Sequence, residues 1–176
     1  NKKSGKMKKL VQFAVIAVVT IGLMGCAAKK TMDATYESEH AIEAEIISVG
    51  NDGTKMIKSW GYAKKPELAL INAKRNAVKA AIFHGFAAGG GSAKVGPIVK
   101  DGNAKNEHKA FFDEFFKDGG KYLQYVNSKN VGMPSGKDRL KMKKGYKVAA
   151  SVSIEFDDLR KYLEDQGIAR SLDAGF

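Results

Sequence analysis

Cysteine is nearly missing from this chain: its 176 residues hold one, Cys26. That excludes a disulfide framework and any zinc site built from several thiolates. Proline is almost as scarce, at three residues. With 44% hydrophobic and 28% charged residues, the composition is that of a globular chain and excludes a disordered or collagen-like one. The three histidines, His40, His84 and His108, lie far apart and show none of the close spacings that mark a metal site. No apolar run reaches the roughly 20 residues that cross a ~30 Å hydrocarbon core. The length suits one domain.

The longest apolar run, Leu10 to Met24, contains Gln12, Thr20 and Gly22 and follows Lys2, Lys3, Lys6, Lys8 and Lys9, with no acidic residue in either part. A charged segment leading into a short apolar one is the pattern of a secretory signal. Met7 reads as its start, which makes Asn1–Lys6 an upstream extension. The run ends in Leu23-Met24-Gly25-Cys26, which resembles the bacterial lipobox, although Met24 stands where a small residue is usual. The resemblance implies that residues 1–25 are a lipoprotein signal peptide and that Cys26 is lipidated on sulfur to become the mature N-terminus. The alternatives are an uncleaved anchor, or a buried helix with an inert cysteine. Acyl chains contribute about 0.8 kcal/mol per buried CH₂, so several together tether a protein to a membrane it does not span.

The net charge of +11 therefore needs correcting. Removing residues 1–25 takes away five lysines and no acid, so the mature charge is +6. A mildly basic chain with 19 acidic residues implies no nucleic-acid partner. No Asp follows Cys26 to retain the protein at the inner membrane, and no acidic run directs it to the cell surface. The expected location is the periplasmic face of a bacterial outer membrane.

Residues 26–41 read as the lipidated N-terminus and a flexible tether; at ~3.3 Å per residue, residues 27–40 reach on the order of 45 Å when extended. Ile42–Val49 alternates as a strand, with Ile42, Ala44 and Ile46 on one face and Glu43 and Glu45 on the other. Asn51-Asp52-Gly53 is a hairpin turn, and Lys55–Ala63 is the return strand. Pro66 opens a helix to Phe83. Ala69, Leu70, Ala73, Ala77, Ala80 and Ala81 form one side of it, with Asn72, Arg75, Asn76 and Lys79 opposite. Gly85 stops the helix, and Ala87–Ser92 is a flexible loop. Asn106–Lys117 predicts a second helix with an aromatic stripe, Phe111, Phe112, Phe115 and Phe116, closed by Gly119-Gly120. Lys121–Val126 predicts a strand and Asn127–Gly136 a loop. Tyr146–Phe156 alternates most cleanly of all, with Val148, Ala150, Val152 and Ile154 on its apolar side. Asp157 or Asp158 then caps a short helix that Gly167 closes. Residues 42–170 thus read as a single α+β domain: a mainly antiparallel sheet of about four or five strands with two or three helices packed on one face. Residues 171–176 are a tail.

The segment Trp60-Gly61-Tyr62-Ala63, the helix containing Asn72-Ala73-Lys74-Arg75-Asn76-Ala77, and a late strand ending in Asp157-Asp158-Leu159 resemble the twenty-kilodalton bacterial lipoprotein family. They are also similar to the N-terminal domain of the flagellar assembly protein T. The resemblance covers roughly residues 42–165 and implies a periplasm-facing accessory or assembly module with no catalytic residues to carry over. The Phe-rich segment and the Gly-rich loop fall outside that pattern.

Gly89-Gly90-Gly91-Ser92 is no phosphate loop, because it follows a helix instead of preceding one and lacks a Gly-Lys-Ser/Thr end. Ser92 has no nucleophile elbow. Asp157 and Asp158 are better explained by helix capping, and His84 by the helix C-terminus. Lys137, Arg139, Lys141, Lys143 and Lys147 share odd parity, so an extended chain would project them from one sheet face. Such a ladder meets lipid headgroups, an acidic glycan or an acidic protein, or else protects a sheet edge against aggregation. A turn at Lys144-Gly145 would split it. Trp60 and Tyr62 are weaker contact candidates, and the four Phe are either core or a partner surface. The expectation is a non-enzymatic, lipid-anchored envelope protein, bound to the membrane through Cys26 and contacting an envelope protein through Lys137, Arg139, Lys141, Lys143, Trp60 and Tyr62. A binding module for an acidic glycan or peptidoglycan is the alternative, and a hydrolase a third. No cofactor or metal is expected.

Overall fold

The computed structural model describes residues 42–50, 52–129 and 132–171; Cys26, the signal segment and the tether lie outside the described residues. The chain enters through an antiparallel hairpin of β1 (Ala44–Val49) and β2 (Thr54–Ala63). At its turn the Asp52 carboxylate accepts hydrogen bonds from the Thr54 amide (3.1 Å) and hydroxyl (2.6 Å), and Gly53 takes φ +79°. The register slips between Ile46 and Ser48, so Ile47 forms a bulge.

Helix α1 (Pro66–Phe83) follows β2 directly. Two short helices, α2 (Ala104–Glu107) and α3 (Lys109–Phe116), replace the single one predicted, with the break at His108. A 3-10 turn at Lys121–Tyr125 stands where a strand was predicted, and β3 is only Val126–Ser128. The 3-10 geometry aligns residues three apart. Tyr122 is thereby buried against Phe116 (ring centroids 5.8 Å), while Tyr125 stacks on Phe115 and on Tyr162. A second 3-10 turn (Gly136–Asp138) leads into β4 (Arg139–Met142), β5 (Gly145–Glu155) and α4 (Phe156–Asp165). Asp157 and Asp158 lie inside the first turn of α4, not at its cap, which is Glu155. Negative charge is favourable there too. Gly167, at φ +70°, closes that helix as expected.

The sheet is antiparallel and ordered β1-β2-β5, with β3 and β4 sharing the outer edge of β5 end to end. This is the α+β class expected. The even-numbered residues of β5 from Val148 to Ile154 are buried together with Ile57 and Ser59 of β2, on the side α1 covers.

Three features of α1 fix its seat. Gly61 faces the helix so closely that a Cβ there would lie 2.1 Å from the Ala69 carbonyl oxygen and 2.3 Å from the Ala73 nitrogen. The alanine side makes that approach possible, and Ala69, Ala73, Ala77 and Ala81 are fully buried. The supposedly opposite polar residues do not face solvent. The Asn72 and Asn76 side-chain amides donate to the carbonyls of Tyr62 and Trp60, each at 2.9 Å. Those carbonyls lie beyond the end of β1, whose pairing stops at Ala44 opposite Ser59. The spacings agree: four helical residues advance about 6 Å and two strand residues about 6.8 Å. Arg75, with 4% of its side chain exposed, donates to Asn72 Oδ1 (2.8 Å), pairs with Asp118 (2.5 Å) and lies over the Tyr122 ring. Lys79 lies over Phe116. The polar side of α1 is thus a second interface.

The Phe stripe is mostly core. Phe112, Phe115 and Phe116 are buried, and Phe111 packs on Phe112, Phe115 and Tyr162. The Ala87–Ser92 segment folds into a tight turn, with the Gly89 and Ser92 backbones bonded in both directions, in place of the free connector expected. Gly90 sits on the β1 bulge, where a Cβ would come within 1.9 Å of the Ile47 carbonyl oxygen.

Gly61→Ala forces α1 off the sheet and is expected to destabilise by about 2–3 kcal/mol, lowering Tm by about 5–10 °C. Gly96→Ala, where nothing lies within 4 Å of a new Cβ, is the control and should leave Tm nearly unchanged. Thermal unfolding followed by circular dichroism checks both.

Candidate functional site

β2 has two faces. Gly61 and Ser59 serve the core, so Lys58, Trp60 and Tyr62 project from the face turned away from α1. Lys147 lies opposite Tyr62 on β5. Its ammonium pairs with both Glu43 carboxylate oxygens (2.6 and 2.9 Å), and the Tyr62 hydroxyl donates to the same carboxylate. The Lys147 ammonium also stands 5.6 Å from the Trp60 ring centroid and 5.4 Å from that of Tyr62. Lys58 approaches Trp60 to 5.3 Å and pairs with Asp138 at 2.9 Å. Trp60 and Tyr62, both half-buried, are therefore held by cations and ion pairs on an ordered platform.

The hydrogen bond from Lys147, then that from Tyr62, hold the Glu43 carboxyl below its ordinary value. Lys147 is raised, first by its hydrogen bond to Glu43. Tyr62 is raised by burial and then by the carboxylate it touches. The three groups stabilise one charge state: anionic Glu43, cationic Lys147 and neutral Tyr62.

The cation ladder is broken up. Lys137 lies in a 3-10 turn and Lys143 in the two-residue turn that joins β4 to β5; only Arg139 and Lys141 share a strand face. Because Met142 pairs with Gly145, odd residues of β4 stand opposite even residues of β5. Parity is reversed at the turn, and Lys147 joins the Trp60 face while Arg139 and Lys141 lie on the other. All four cations proposed for contact are exposed. On the Trp60 face the edge strand presents Leu140, directly opposite Lys147, and Met142, with 48% and 47% exposure.

Sequence reasoning joined neither Glu43 nor Asp138 to this group, since they meet their partners only through strand pairing. The Met142–Gly145 turn was the one available signal, because it dictates register. Among the described residues, no three His, Cys, Asp or Glu side chains come together to hold a metal ion. No described helix is long and apolar enough to cross a membrane. No protein-family model, curated protein or solved structure matches the chain.

The pKa directions set the pH dependence of stability. Glu43 is depressed, so its contribution is complete above the unfolded value of 4.5 and is lost as pH falls through the lower folded value. Lys147 is raised, so its contribution is complete below 10.5 and is lost as pH rises through the folded value. Glu43 is 41% exposed, and solvent screening limits the pair to about 1 kcal/mol. Glu43→Gln should lower Tm by a few degrees at pH 7, and the difference from wild type should close as the pH falls from 4.5 through the lower folded value. Calorimetry across pH measures both; a difference independent of pH would show that the charge of Glu43 is immaterial.

Proposed function

We propose that the protein is a lipid-anchored envelope protein, tethered through Cys26 at the periplasmic face of a bacterial outer membrane, and that it acts as a non-enzymatic binding or assembly module. The Leu23-Met24-Gly25-Cys26 segment after the apolar run supports the anchor, as does the resemblance to the twenty-kilodalton lipoprotein family. The observation that carries the binding role is the Trp60–Tyr62 platform. Two aromatic rings, held by Lys58, Lys147 and Glu43, adjoin the exposed Leu140 and Met142. Amphipathic rings fixed before contact lose little entropy on binding. Confinement by the lipid raises the effective concentration of this surface for a neighbouring partner.

The test is isolation of the mature protein from detergent-solubilised membranes, beside a Cys26→Ala variant, with mass spectrometry of the N-terminal peptide and of co-purifying proteins. The expected result is a chain beginning at a lipid-modified Cys26 and a defined envelope complex that is lost with the variant. An unmodified Cys26 overturns the anchor, and a lipidated protein without a partner overturns the assembly role. In that second case, salt-sensitive sedimentation with cell-wall material would favour the acidic-glycan reading.

A further inference from the structure

One end of the sheet gathers positive charge from two separate segments. β2 ends at Ala63, which pairs with Tyr146 near the start of β5. Lys64 and Lys65, the residues that follow β2, therefore stand beside the β4–β5 turn of Lys143 and Lys144. The Gly145 Cβ position lies 3.3 Å from the Lys64 Cα. All four lysines are exposed, as is Lys141 at the end of β4. The acids nearest this end are largely engaged, Glu43 with Lys147 and Asp138 with Lys58; Glu67 in the first turn of α1 is the exposed exception. Exposed apolar side chains accompany the lysines: Met142 beside the turn, and Leu68 (41%) in the first turn of α1, which starts from the same end of the sheet.

The chain also reaches the domain here. β1 runs antiparallel to β2, and the Trp60 amide donates to the Glu43 carbonyl. Ile42, the first described residue, therefore lies toward the Ala63 end of β2. Fifteen residues lie between Cys26 and Ile42, so a lipid on Cys26 keeps the domain close to the bilayer, where its surface chemistry chooses the face.

We infer that this end of the domain, with Lys64, Lys65, Lys143 and Lys144, docks on the anionic phospholipid surface of the membrane, with Met142 and Leu68 entering the headgroup layer. Lysines near an anionic bilayer and apolar groups at its boundary each favour contact, and together they set an orientation that a tether alone leaves free. The inference rests on the lipid-anchored reading for the nearness of the membrane, but not for the chemistry of the surface.

The test uses the chain's single cysteine. A lipidated Cys26 has no free thiol, so Lys144→Cys, or Asp158→Cys in the first turn of α4 just past the far end of β5, becomes the only site for an environment-sensitive fluorophore. β5 has 11 residues, which at about 3.4 Å each place the two probes on the order of 35 Å apart. Membrane-extracted lipoprotein is reconstituted into vesicles of phosphatidylcholine alone or with phosphatidylglycerol. The expected result is a blue shift of the position-144 probe with phosphatidylglycerol, reversed by high salt, and none at position 158. Lys64→Ala with Lys65→Ala should lower the docking constant about twenty-five-fold, from about fivefold per cation. No shift at 144, or equal shifts at both positions, overturns docking. A shift that requires added cell-wall material, or a purified partner protein, also overturns it in favour of that occupant. Thiol titration separates the two ideas. One free thiol in the unsubstituted protein means that the lipid anchor has failed, and a Cys26→Ala, Lys144→Cys chain with the same vesicles then decides docking by itself.

Discussion

The close seat of α1 on β2 is the constraint on which the rest depends. Gly61 offers no side chain, and the facing turns of the helix offer only alanine, so backbone meets backbone at that point. Close contact alone leaves a helix free to slide. Asn72 and Asn76 remove that freedom by taking two strand carbonyls that β1 is too short to reach. An unpaired carbonyl beneath a helix is costly, so the arrangement satisfies the backbone and sets the helix register together.

From that seat the order spreads outward. Arg75 ties Asn72 to Asp118 and packs on Tyr122, which joins the helix to the segment behind it. The rings of Phe111, Phe115, Tyr125 and Tyr162 then bind α3, the 3-10 turn and α4 to one another. Ring pairs of this kind add to the burial of their area. The aromatic stripe thus serves as a second core beyond α1, and of the two readings of Phe111–Phe116, core and partner surface, the packing supports core.

The strand that seats the helix also builds the opposite face. Along β2 the period of two assigns Gly61 inward and Trp60 and Tyr62 outward, so a shift of one residue would place a tryptophan against the backbone of α1. Glu43, Lys147 and Lys58 are held around those rings by the same strand pairing. Rigidity on the core side is what gives the outer platform a defined shape.

Much of the fold was legible from local pattern. Proline at the start and glycine after the end bounded α1, alternation marked β1 and β5, and Asn51-Asp52-Gly53 announced the hairpin and with it the return strand β2. These signals act over a few residues, where a chain's own geometry decides. The polar side of α1 misled because asparagine and arginine are ordinarily solvated. Only the shortness of β1, whose pairing with β2 stops before Trp60 and Tyr62, turned the two asparagines into ligands of carbonyls. Lys121–Tyr125 became a 3-10 turn because two tyrosines three apart found buried neighbours, a tertiary gain that overrode β propensity. The cation ladder failed for a similar reason: a two-residue turn reverses parity and sends Lys147 to the other face. By itself the sequence determined the β1–β2 hairpin and which helix is smallest on one side, since periodicity and turn chemistry are local. Tertiary structure alone decided which charges meet, because Glu43 and Lys147, or Lys64 and Lys144, are neighbours only after strands far apart in the chain align.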